Sequence, residues 1–123
     1  MIQVQIIKHK AQRYPTVGDW EFGEDTPAKM HNLLVSVSQT GKQEYNDLIA
    51  IHEIIEAILC KANGVSGEEV TNWDTNHIDH PDPGSIPGCP YYREHLFATI
   101  VEKMLASELG VDWDEYEETL EKL

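Results

Sequence analysis

His52, Glu53 and Glu56 are the residues whose types and spacing would do chemistry in this chain. They interrupt an apolar run from Leu48 to Leu59 that predicts a helix. Residues four apart on a helix lie one turn apart on the same face, so the His52 imidazole and the Glu56 carboxylate aim the same way. Polar groups placed like this in an apolar helix are costly unless they are paired or bound to something. An imidazole nitrogen and a carboxylate oxygen are both donors that zinc accepts, and a catalytic zinc site takes three protein donors and leaves one position open. The third donor must come from elsewhere in the chain. A downstream segment, Tyr91-Tyr92-Arg93-Glu94-His95, offers His95, with Glu94 as the alternative, and spacing does not decide between them. Glu53 follows His52 directly and would act as general base, taking a proton from water made acidic by the metal. His77 and His80, in a loop, would add ligands or transition-state donors. Asp74, Asn76 and Asp79 have part of the spacing of a calcium loop, but Ile78 and the missing glycine turn break it.

The elements that must position these groups can be read in outline. Residues 2–7 alternate Ile-Gln-Val-Gln-Ile, the period of a half-buried strand. A second short strand is expected over Val17 to Phe22. A third follows at Asn32 to Ser38, with Leu33, Val35 and Val37 on one face. Residues 23–29 are a loop, and Gly41 ends the strand-rich part. Residues 43–62 predict the main helix, with Leu48, Ile51, Ile55, Ile58 and Leu59 as its buried stripe and Asn63-Gly64 as its stop. Residues 65–90 read as a long connection with a single helical turn near Glu68 to Trp73. Pro90 suits the first turn of a second helix over 90–108, with an apolar face of Phe97, Ile100, Val101, Met104 and Leu105. Gly110 ends it, and Asp112 with Glu115 would cap a short third helix.

Strands first and helices after predict an α+β fold: a small N-terminal antiparallel sheet packed by two main helices and a short C-terminal one. At 123 residues the chain is expected to form one domain, with 1–40 its β-rich part and 90–122 helical. No run is long enough to cross a membrane, and the first residues lack the pattern of a signal peptide, so a cytoplasmic setting is expected. Cys60 and Cys89 are too few for a disulfide framework or a cysteine-rich zinc site. Cys89 precedes Pro90 near a helix start, where a thiolate would be stabilised, but His95 lies too far round for a Cys–His nucleophile, and a small buried or capping cysteine is expected. The exposed aromatics Trp73, Tyr91 and Tyr92 would mark an interface, while the oligomeric state is open. The net charge of −13 disfavours direct nucleic-acid binding. Six acids against one lysine between Asp112 and Leu123 read as a solvated helix face.

Strands, then a helix carrying His52-Glu53-x-x-Glu56, then a helix carrying a third ligand resemble the minimal core of zincin-type metallopeptidases, small gluzincin-like domains of bacterial and phage genomes among them. The resemblance covers roughly residues 30–108. It implies zinc, a protein or peptide substrate, His52 as the first ligand and Glu53 as the base. Glu56 stands where that family has a second His, and Glu94 or His95 stands where it has a Glu. The exchange of ligand types adds negative charge and would weaken the metal's effect on water, which leaves a vestigial peptidase as one form of this reading. Small phage-type proteins with a similar helix pair and a Gly-Val-Asp-Trp ending, here Gly110 to Trp113, are also similar and imply no activity.

Two other readings stand beside it. An acidic phage-type protein without chemistry would bind a basic partner or mimic nucleic acid. A magnesium-dependent nucleotide pyrophosphatase would use Glu53 and Glu56 as one Glu-x-x-Glu pair, with only Glu94 and Glu102 left on the second helix to supply the other.

Overall fold

In the computed structural model, which describes residues 1–123, three strands precede four helices. The strands are β1 (Ile2–Ile7), β2 (Gly18–Phe22) and β3 (Leu33–Ser38). The helices are α1 (Gln43–Ala62), α2 (Gly67–Asn76), α3 (Tyr92–Glu108) and α4 (Trp113–Glu121). Single 3-10 turns occur at His9–Ala11 and Pro83–Ser85. The fold is α+β. No helix is long and apolar enough to cross a membrane.

The sheet is mixed rather than antiparallel. Its order is β1-β3-β2, with β3 parallel to β1 and antiparallel to β2. The chain reverses twice between β1 and β3, so they run the same way, and β3 inserts between the two earlier strands. The register places Trp20 opposite Val35 and Gly18 opposite Val37. One face of β2 therefore presents Gly18 and Trp20, two residues apart, to the helix that packs on it. Asp19 points the other way and is held by a forked ion pair from Arg13, Nε to Oδ2 at 2.7 Å and Nη2 to Oδ1 at 2.9 Å.

The helix α1 has the bounds that periodicity predicts, but of its expected buried stripe only Leu48 is fully buried. The helix buries Tyr45, Leu48, Ile49, His52, Glu56, Ala57 and Cys60, while Ile51, Ile55 and Leu59 are half-buried and Ile58 is exposed. The polar pair thus lies at the centre of the interior face. The second expected face is only partly kept: Val101 and Leu105 are half-buried, Leu105 against the core, but Phe97, Ile100 and Met104 are exposed. The helix α3 buries Glu94, Ala98, Glu102 and Ala106, and turns Leu96, Phe97, Ile100 and Met104 to solvent. Small residues explain how this packs. Ala57 and Ala98 have no exposed surface, and Ala98 and Ala106 let α3 approach α1 closely while the longer Glu94 and Glu102 reach across.

The 65–90 segment is not a loop with one turn. It contains the ten-residue helix α2, started by a complete capping box in which Ser66 accepts from the Glu69 backbone N–H and Glu69 returns to Ser66 N–H. Helix α3 starts at Tyr92 with Tyr91 at its N-cap, so Pro90 lies outside the first turn. Asp112 caps α4 by accepting from Glu115 N–H at 3.0 Å, as its spacing predicts. Of the three expected interface aromatics, Tyr91 is buried, Trp73 is half-buried and donates to Pro83 O, and only Tyr92 is exposed.

Candidate metal centre

The helices α1 and α3 run antiparallel, since Asn63 at the end of α1 meets Glu94 at the start of α3, and His52 meets Glu102 further along. Between them three side chains converge. Glu56 Oε2 lies 3.1 Å from His52 Nε2 and 2.8 Å from His95 Nδ1, and the two nitrogens are 3.2 Å apart. The donor atoms of His52, Glu56 and His95 form the group of this chain that could hold a metal ion. Donors about 2.0–2.1 Å from a tetrahedral zinc are about 3.3 Å from one another, so the triangle is slightly tighter than a zinc site.

The far side of each histidine is anchored. His52 Nδ1–H donates to Glu102 Oε1 at 2.7 Å, and His95 Nε2–H donates to Asp82 Oδ1 at 2.9 Å. A carboxylate only accepts, which places a proton on each outer nitrogen. The remaining oxygen of Glu102 accepts from Tyr116 OH at 2.6 Å, and the remaining oxygen of Glu56 accepts from Trp20 Nε1–H at 3.0 Å. Every arm of the triangle is thus fixed by a neighbour on another element: α3 and α4 for His52, β2 for Glu56, and the Pro83–Ser85 turn for His95.

Glycine makes two of these approaches possible. A Cβ on Gly84 would lie 2.5 Å from His95 Cγ, so only glycine lets the turn close over the imidazole. A Cβ on Gly18 would lie 2.6 Å from Glu53 Oε1 and 2.7 Å from its Cγ. The Glu53 side chain therefore rests on β2, half-buried at the edge of the centre.

The charges follow from this arrangement. Burial alone would lower the pKa of His52, but hydrogen bonds to Glu102 and Glu56 outweigh it and hold it well above the usual value. His95 behaves likewise: burial lowers it, and Asp82 and Glu56 lift it to about 9. Burial would raise Glu56, yet the two histidines bring it down to about 2. Glu53 goes the other way, raised well above the usual carboxylate range by burial and then by the charge of Glu56. With protons on both histidines, the centre carries two positive charges among three carboxylates, Glu56, Glu102 and Asp82. A divalent ion would replace those two protons charge for charge, leaving both imidazoles neutral as metal ligands require.

Among the candidate residues, His52, Glu56 and His95 come together. Glu94 does not join them; it is buried nearby and accepts from Asn63 Nδ2 at 3.2 Å. His77 stacks on Trp73 with its Nδ1 on the Trp73 carbonyl, and His80 Nδ1 accepts from Asp82 N–H. Neither reaches the centre. Asp74 accepts from Tyr14 OH at 2.8 Å and from Tyr91 OH. Cys89 is buried, and burial pushes its thiol up to about 11, opposite to a reactive thiolate. Four supporting residues were not legible as such: Trp20, Asp82, Glu102 and Tyr116. Glu102 alone left a signal, as an acid within a largely apolar helical segment.

No family model matches the chain, and neither curated proteins nor solved structures contain a match to it.

Proposed function

We propose that His52, Glu56 and His95 bind one divalent metal ion, zinc by donor type, and that the centre serves a zincin-like hydrolase acting on a protein or peptide. One observation carries this reading. Three donor atoms lie within 3.2 Å of one another, and each histidine has its opposite nitrogen held by a carboxylate. Carboxylate–histidine–metal relays of this kind set the tautomer and ring orientation of metal ligands. The bound ion would polarise a substrate carbonyl and make water acidic near neutral pH. Glu53 would receive the proton from that water. Without metal, burial and the charge of Glu56 favour the protonated form of Glu53; the positive charge of a bound ion would offset this and leave the carboxylate free to take the proton. Trp20 keeps Glu56 turned toward the imidazoles, and Gly18 leaves room for Glu53 beside them.

A structural metal site is the second reading, favoured by the burial of His52 and Glu56, 8% and 5% exposed. In that case the ion ties α1 to α3 and Glu53 has no chemical task.

Metal content by mass spectrometry on protein purified without a histidine tag tests the proposal. About one zinc per chain is expected in the wild type, and loss of it in His52→Ala. Glu53→Gln should keep the zinc and lose hydrolysis of a casein or peptide library. Zinc binding with no hydrolysis in either protein would leave the structural reading. No metal after zinc is added back would overturn both.

A further inference from the structure

We infer that the outward face of α3 is a self-association surface, on which a second copy of this chain packs its own α3 in antiparallel order. The exposed apolar residues of α3 create the surface. The buried side of the helix is lined by glutamates and alanines, and the apolar residues face out: Leu96 49%, Phe97 53%, Ile100 49% and Met104 64% exposed. Soluble chains rarely leave such a contiguous row uncovered. Arg93, Phe97, Ile100, Met104 and Glu108 follow one another at intervals of four, three, four and four residues, which is the seam of a helix that packs against another helix.

The ends of the seam identify the occupant. Arg93 is at its N-terminal end and Glu108 at its C-terminal end, and both are exposed. A two-fold axis between Ile100 and Val101 would set Phe97 against Met104 of the other copy and Arg93 against its Glu108, twice over. The seam is thus complementary to itself only in the antiparallel sense, as an isologous dimer requires. Parallel pairing would oppose like charges at both ends.

Net charge does not forbid this pairing. The solvent-facing ionised groups of α3 are Arg93, Lys103 and Glu108, because Glu94 and Glu102 are buried. The acidic surplus lies elsewhere, notably on α4 and its flanks, where six acids face one lysine. The seam is therefore nearly neutral in a chain of charge −13. An anionic membrane would be repelled by the rest of that charge. In such a dimer each α3 would lie between its own α1 and the α3 of the other copy, with both of its faces covered.

Sedimentation velocity and light scattering across a concentration series test the inference. The wild-type chain should pass from its 14.0 kDa mass to twice that mass. Ile100→Glu, an exposed position, should stay a monomer with unchanged circular dichroism and metal content. Arg93→Glu and Glu108→Arg should each weaken the dimer about tenfold, and the two together should restore it. A wild type that stays monomeric at about 100 μM would overturn the inference. A dimer indifferent to Ile100→Glu, or a charge swap that restores nothing, would overturn it too. A monomer that instead pellets with neutral phosphatidylcholine vesicles would assign the face to a lipid surface.

Discussion

His95 and Glu94 are adjacent on one helix, yet only His95 meets His52 and Glu56. One residue is a turn of about 100° on a helix, which separates a side chain aimed at the centre from one aimed at Asn63. Glu102, two turns further along α3, returns to the same side and takes the outer nitrogen of His52. A carboxylate in that place holds the imidazole with its inner lone pair free for a metal, and losing such a partner costs about 10–100-fold in affinity. Glu102→Gln should therefore weaken zinc binding by about that factor, while Glu94→Gln should change it less than about twofold. Competition with a fluorescent chelator measures both. Equal effects of the two substitutions would show that Glu102 has no special role.

At the scale of elements, α3 is a helix with acids on its interior face. Its interior face reads Glu94, Ala98, Glu102, Ala106, at four-residue intervals. The alanines set the closeness of α1 and α3, and the glutamates supply the polar contents. A larger side chain at the crossing has no space to occupy, and overpacking of this kind costs about 1–3 kcal/mol. Ala98→Leu should lower the midpoint of urea unfolding accordingly and loosen the metal centre with it. Unchanged stability would mean that the helices can separate without cost. The other elements act as braces. Strand β2 reaches the centre through Trp20, α4 through Tyr116, and the turn at Pro83–Ser85 through Asp82 and the close approach of Gly84 to His95.

For the whole molecule, the centre couples folding to protons. Without metal, His95 has a pKa raised from 6.5 to about 9, so its stabilisation is complete below pH 6.5 and is lost as pH rises through about 9. Glu56 is lowered from 4.5 to about 2, so its stabilisation is present above pH 4.5 and is lost as pH falls through about 2. Glu53 is held above its usual 4.5 by burial, so its stabilisation is complete below pH 4.5 and falls as pH rises above it. The melting temperature of protein in chelator should thus be highest near pH 4.5 and fall as pH rises, more steeply above pH 6.5, where His95 adds its loss. Zinc should restore it at pH 8, because the ion supplies the charge that the histidines have given up. Thermal unfolding across this range, with chelator or with zinc, gives the profile. A flat profile in chelator between pH 5 and 9 would show that these groups do not hold the fold together.

The sequence by itself determined the α+β class, the three strand segments, the bounds of the main helix, and His52 with Glu56 as a pair on one helical face. These are local matters, set by alternation, by four-residue spacing and by Asn63-Gly64 at the helix end. It also carried the Ser66-x-x-Glu69 cap of α2, a signal hidden by the polar composition of that segment. Only the tertiary structure decided which residue of Glu94-His95 turns to the centre, that α3 buries its acids and exposes its apolar row, and that Trp20, Asp82, Glu102 and Tyr116 surround the site. Hydrophobic periodicity marks the buried face of a helix only when the core it packs on is apolar. Here a polar centre lies between two helices. A buried glutamate is favourable once a histidine and a tyrosine meet it across the interface, and no local pattern records partners fourteen to fifty residues away.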